Sequence, residues 1–96
     1  MSGNYLPTDG WQNKAGTSAR NCSCGSWKEH WKRHTGKPWP NTCSVYGCNN
    51  TPTLGAHVHN ATVIGERIVA TCDSCNKRSG VFSIKGGVSF SNAISD

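Results

Sequence analysis

Apolar and polar positions follow several rhythms along this chain of 96 residues. Trp27, His30, Trp31 and His34 recur at i, i+3, i+4 and i+7, the spacing that sets four side chains on one face of an α-helix. Ser26-Trp27-Lys28-Glu29 reads as a capping box, in which the Ser26 hydroxyl accepts from the Glu29 amide. Lys28, Lys32 and Arg33 fall off the apolar face, and Gly36 and Pro38 end the helix. Thr53 to Val58 and Val63 to Ala70 are β-prone runs that predict an antiparallel hairpin with Asn60 in its connection. Val81 to Ile84 and Val88 to Phe90 alternate with period two around Gly86-Gly87 and predict a second hairpin near the C-terminus. Before residue 20 there is no such period. Gly, Ser, Thr and Asn dominate there, with Tyr5 and Trp11 isolated, so residues 1–20 read as a flexible arm and 21–96 as one domain.

Composition shows why this pattern is insufficient alone. Only 34% of the residues are hydrophobic and 11 are glycine, so an apolar core by itself is a weak support for so short a chain. Trp27 and Trp31 supply the buried side of the helix, which leaves Trp39, between Pro38 and Pro40, as the expected exposed aromatic. No apolar run approaches the ~18 residues of a membrane span. The first ten residues have neither a basic segment nor an apolar one behind it, so a cytoplasmic protein is expected.

Six cysteines and four histidines supply the candidate staple. Cys43 and Cys48 are separated by four residues and Cys72 and Cys75 by two, spacings that let each pair of sulfurs bind one tetrahedral ion. Gly47 suits the left-handed turn of such a knuckle, and Cys72 to Arg78 reads as a helix start, where backbone amides favour nearby thiolates. Three disulfides are the alternative use of six cysteines. The interleaved histidines and the expected compartment favour zinc. Structural zinc contributes about 10–16 kcal/mol in small finger peptides, comparable with the net stability of a whole domain.

Cys22 and Cys24 then remain for a second ion, which needs two imidazoles. His30 with His57 would tie the helix to the hairpin, and His30 with His34 would chelate from one helix face. In the first case His57 is occupied; in the second it is available as a base. The expected ligand set is Cys22, Cys24, His30, Cys43, Cys48, His57, Cys72 and Cys75, for two zinc ions, with the His34 option open. Pairing of Cys22 and Cys24 with Cys43 and Cys48 is also open. His59 is expected to point away from His57 and to lie on the surface.

Knuckle, hairpin and short helix, in that order, describe a treble-clef zinc finger. The expected fold is therefore small α+β, a zinc-stabilised treble-clef-like core with an added N-terminal helix and a C-terminal hairpin. Cys43 to Cys48, Ala56-His57-Val58 and Cys72 to Lys77 resemble the zinc-stapled branch of the HNH nucleases, over roughly residues 43–78. The resemblance implies that His57 stands at the family's general-base position. The chain departs from the pattern there: Ala56 replaces the acidic residue before that histidine, and Asn76 replaces the terminal metal-binding histidine. Thr62 to Thr71 also lacks the family's middle asparagine. Asn21 to Trp27, His30-Trp31 and Gly55 to Val58 are similar to a group of small uncharacterised bacterial proteins, which implies no activity.

Ten Lys and Arg against five Asp and Glu give a formal net charge of +5, concentrated in two stretches. Lys28, Lys32, Arg33, Lys77 and Arg78 are the candidate nucleic-acid contacts. Binding of nucleic acid is the expected work. A divergent metal-dependent nuclease using His57, or a zinc-stapled adaptor or effector docking on a protein, are the alternatives; no small-molecule substrate is evident.

Overall fold

The computed structural model describes residues 6–14 and 26–93. In chain order it holds β1 (Trp11–Asn13), α1 (Trp27–Thr35), β2 (Leu54–Asn60), β3 (Arg67–Thr71), α2 (Asp73–Asn76) and β4 (Ser91–Asn92). The four strands form one antiparallel sheet in the order β1-β2-β3-β4, so the fold is small α+β.

Helix α1 begins and ends where its caps require. Ser26 has extended backbone and its hydroxyl accepts from the Glu29 amide at 3.2 Å, while Gly36 takes the left-handed conformation and donates to the Lys32 carbonyl. The β2–β3 hairpin pairs Leu54 with Thr71 and His57 with Ile68. Its connection is organised by Asn60, whose side-chain oxygen accepts from both the amide and the hydroxyl of Thr62. The Asn60 side-chain amide donates across the molecule to the Asp9 carbonyl at 2.7 Å.

The pleat sends alternate residues of β2 to opposite faces of the sheet. Val58, with Val69 of β3, joins a buried cluster that contains Trp11, Cys43, Val45, Cys72, Cys75, Phe82 and Ile84. Gly55, His57 and Ile68 look the other way, toward α1. A Cβ on Gly55 would stand 2.8 Å from the Trp27 carbonyl carbon and 2.9 Å from the Ile68 Cγ2 atom, so this glycine sets how closely the helix lies on the strand. On the same side Trp31 is buried, its indole nitrogen donating to the Ser89 carbonyl at 2.9 Å.

Three sequence expectations are corrected here. Trp11 to Asn13 lie within the expected arm, yet they pair with Val58 to Asn60 and Trp11 is fully buried. Its ring stacks on Phe90 at 4.9 Å and its indole nitrogen donates to the Pro7 carbonyl at 2.8 Å, partners distant or invisible to a local pattern. The arm's end at residue 20 lies outside the described residues. Second, Val81 to Phe90 form no hairpin of their own. Phe82 bridges to Trp11 and Ile84 bridges to Val45, so the alternation before Gly86-Gly87 serves two separate partners, and pairing with β3 begins only beyond Phe90, at β4. Third, Trp39 is half-buried rather than an open platform: its ring meets Trp31 edge to face at 5.5 Å and its nitrogen donates to the Pro52 carbonyl.

Candidate metal centre

Cys43 to Cys48 form the first half of the site. Gly47 has φ +84, the left-handed turn foreseen there, and the Cys48 amide donates back to the Val45 carbonyl at 3.0 Å. Val45 is pinned beneath by its bridge to Ile84, and the Ser44 amide donates to the Ala70 carbonyl at 2.9 Å, which ties this loop to the end of β3. Cys72 follows β3 directly and serves as the N-cap position of α2, and Cys75 lies inside that single turn. Sheet pairing therefore delivers the second pair of thiols to the first.

The four Sγ atoms of Cys43, Cys48, Cys72 and Cys75 all lie within 4.8 Å of one another. Cys48 and Cys72 sulfurs are 3.8 Å apart. Zn–S bonds of about 2.3 Å at tetrahedral angles place two sulfurs about 3.8 Å apart, whereas a disulfide requires about 2.05 Å. All four cysteines are free thiols in this geometry. The donor set thus fits a single tetrahedral ion, and four protein sulfurs fill its coordination shell.

The surroundings prepare these thiols unequally. Burial pushes the Cys43 thiol up, and burial together with the neighbouring Cys48, Cys72 and Cys43 sulfurs pushes Cys75 up to about 12. Burial also acts to raise Cys72, but hydrogen bonds from Ser74, the Cys75 backbone and Asn50 outweigh it and hold that thiol at about 6. One sulfur is thus ready as a thiolate at neutral pH, while Cys43 and Cys75 carry charge at the cost that a bound cation removes.

Sequence reasoning found the four thiols and missed what holds them. The Asn50 side-chain amide lies 3.7 Å from the Cys72 sulfur, and the Cys72 amide donates to the Cys43 sulfur at 3.4 Å. Asn13 of β1 donates to the Cys75 carbonyl at 2.8 Å, and the Lys85 ammonium donates to the Cys48 carbonyl at 2.6 Å. Asn13 and Lys85 come from segments 62 and 37 residues away, so no local motif could mark them.

The remaining candidate ligands divide. Cys22 and Cys24 lie outside the described residues. His30 and His57 are both buried and stand against the same indole, with ring centroids 4.9 Å and 4.4 Å from that of Trp27. His34 is exposed, its ring 4.2 Å from His30. The His30 Nε2 atom sits 2.7 Å from the Asn92 carbonyl, which orients the ring. His59, two residues from His57, returns to the same side of the sheet and is half-buried, contrary to the expectation that it points away.

The basic candidates do not converge on one patch. Lys28, Lys32 and Arg33 ride on α1, against one face of the sheet, while Lys77 and Arg78 follow Cys75 on the other. Lys32 pairs with Glu29 at 3.7 Å and Lys77 with Asp73 at 2.9 Å. Lys28 lies 5.1 Å from the centre of the Trp39 ring and Arg78 5.6 Å from that of Phe82. No helix among the described residues is long and apolar enough to cross a membrane. Compared with known protein families, with curated proteins and with solved structures, the chain matches none.

Proposed function

We propose that Cys43, Cys48, Cys72 and Cys75 hold one structural zinc ion, and that the domain so stapled is a nucleic-acid-binding module. The observation that carries the metal half is the mutual approach of four sulfurs, all within 4.8 Å, from two segments of chain. A shell filled by four thiolates leaves no position for water or substrate, so the ion shapes the protein and does no chemistry itself. The order of knuckle, hairpin and single-turn helix supports a treble-clef core of the HNH-like kind, with α1 added across the sheet. For the binding half, the support is the net charge of +5 and the cationic outer side of α1, which attract polyanions.

A second zinc ion held by Cys22, Cys24, His30 and His57 belongs to the same reading. Its support is that α1 docks where it brings His30 and His57 to one indole, and that His30 rests one ring nitrogen on a backbone carbonyl, as ligating histidines commonly do. The same burial disfavours His57 as a nuclease base. A general base must reach water and the scissile phosphate, and His57 is 5% exposed beside Trp27.

Elemental analysis of the purified protein and of Cys72→Ser, His30→Ala, His34→Ala and His57→Ala tests the metal half. Two ions in the parent, one fewer in His30→Ala and His57→Ala, and no change in His34→Ala are expected. A metal-free protein with oxidised thiols ends it. For the binding half, a salt-sensitive affinity for DNA or RNA is expected at two ionic strengths, and no affinity for either ends that half alone.

A further inference from the structure

Several cationic side chains among the described residues have partners that account for their charge or fix their head group, and Arg67 turns its guanidinium back on the Ile64 and Glu66 carbonyls of its own turn. Lys32 and Lys77 are paired with carboxylates, and Lys28 and Arg78 lie over aromatic rings. Lys37 and Lys85 are held differently. The Lys37 ammonium donates to the Ser89 hydroxyl at 2.7 Å; that of Lys85 donates to the Cys48 carbonyl at 2.6 Å and the Thr42 hydroxyl at 3.3 Å. All three acceptors are neutral. An ammonium has three donors, so two remain at Lys37 and one at Lys85, and neither charge meets a carboxylate among the described residues.

Both lysines border two adjoining clefts of about 390 and 400 Å³, which share the Gly87-Val88-Ser89 ridge. These volumes fall at the small end of the ~300–1,000 Å³ range of ligand sites. Trp31, Pro38 and Pro40 wall the first cleft, and Leu6, Pro7 and Phe90 the second. Among the described residues no aspartate or glutamate lines either one. A Cβ at Gly86 or Gly87 would meet nothing within 4 Å, so both glycines border open space.

A mainly apolar recess beside one of mixed lining that carries Leu6, Pro7 and Phe90, with a shared cationic border, matches one kind of ligand well: a single anion carrying on each side a flat group with an apolar face and polar edges. We infer that the double cleft binds a dinucleotide step of a single-stranded nucleic acid, with the linking phosphodiester on Lys37 and Lys85 and one base against each apolar wall. The inference rests on the nucleic-acid half of the reading above and gives it a contact site that the paired lysines do not supply. A duplex keeps its bases stacked inside and cannot lay them in the two recesses, so single strands are preferred.

The test is a titration of metal-loaded, full-length protein with a labelled single-stranded oligonucleotide, the matching duplex and an acidic peptide, each at two salt concentrations. The single strand should bind about tenfold or more tighter than the duplex, and an unlabelled dinucleotide should compete better than a mononucleotide. Lys37→Glu should weaken binding about tenfold or more, and Lys37→Ala should lower the log–log salt slope by about 0.7. Lys37 is exposed, so its variants keep the parent's melting curve. Gly86→Leu, which adds a side chain at a residue lining the first cleft and whose Cβ meets no neighbour within 4 Å, should weaken binding without loss of metal. Equal affinity for the duplex, tighter binding of the peptide, or parent-like binding by both Lys37→Glu and Gly86→Leu overturns the cleft. If Lys28→Gln or Arg33→Gln abolishes binding while Lys37→Glu does not, the cleft falls and the binding module stands. Absence of affinity for any nucleic acid removes both.

Discussion

The two faces of the sheet are stabilised by different chemistry. On one, the knuckle and the α2 turn bring four thiols together over Val58 and Val69; on the other, α1 covers Gly55, His57 and Ile68 with tryptophan and histidine. The cysteine face gathers groups whose charged forms repel one another, so on the zinc reading proposed above a cation completes it. The helix face is packed through a glycine that admits the helix backbone and an indole bonded to the Ser89 carbonyl just before β4. The second ion proposed above would add a tie between α1 and β2 at His30 and His57. Coordination tolerates a sparse apolar core and fails all at once, whereas packing fails by increments.

The largest effect should follow from breaking the cysteine face. Cys72→Ser is expected to remove the four-cysteine ion, and a strong chelator to remove it with any second ion, at a loss of about 10–16 kcal/mol, comparable with the ~5–15 kcal/mol net stability of a typical domain. The cooperative thermal transition should vanish and the thiols become reactive together. An unchanged melting curve in chelator would show that packing suffices. Proton competition gives the sign of the pH dependence. Cys43 and Cys75 have raised pKa values, so zinc uptake at neutral pH releases their protons and affinity falls as pH falls. Calorimetry in buffers of different ionisation enthalpy should detect that release.

Trp31→Ala is the matching break on the helix face. Loss of a buried indole costs about 3–5 kcal/mol and orphans the Ser89 carbonyl. Denaturant midpoints of metal-loaded protein should fall accordingly while metal content stays at the parent's value. Loss of metal in this variant would mean that the faces are not separable.

How much of this was legible in the sequence follows the same division. Helix α1 could be read because its cap, face and stop are local: Ser26, the i, i+3, i+4, i+7 residues and Gly36. The thiol pairs could be read because chelation imposes short spacings. Strand β1 could not, since Trp11 is buried by Phe90, Phe82 and Pro7, of which two are some 70 residues or more away. Residues 81–90 misled because period two records alternating burial and does not say which strand provides it. The Lys37 and Lys85 clefts were invisible for a related reason: no spacing rule joins a loop after α1 to the ridge before β4.

Two glycines sharpen the comparison at intermediate cost. Gly55→Ala forces a Cβ to 2.8 Å from the Trp27 backbone, where the clash is with main chain and cannot be relieved by a side-chain rotation. Overpacking of this kind costs about 1–3 kcal/mol. Gly47→Ala meets nothing within 4 Å, so its cost is the left-handed φ of +84 alone, about 1–2 kcal/mol. The expected distinction lies in the metal. Gly47→Ala should weaken zinc affinity in a competition assay with a colorimetric chelator, and Gly55→Ala should not.

The smallest break is Ser26→Ala. It removes the acceptor for the Glu29 amide and should cost about 1 kcal/mol, with Ser26→Asp restoring most of it because a carboxylate at this position accepts the same bond and sits favourably at the helix N-terminus. Hydrogen exchange shows where that loss is felt. If amides of α1 lose protection while those of Cys43 to Cys48 and Cys72 to Asn76 keep theirs, the helix opens over a sheet still clamped by its metal. Equal loss on both sides would make the two faces one cooperative unit, in which the ion supports the helix as fully as it supports the knuckle.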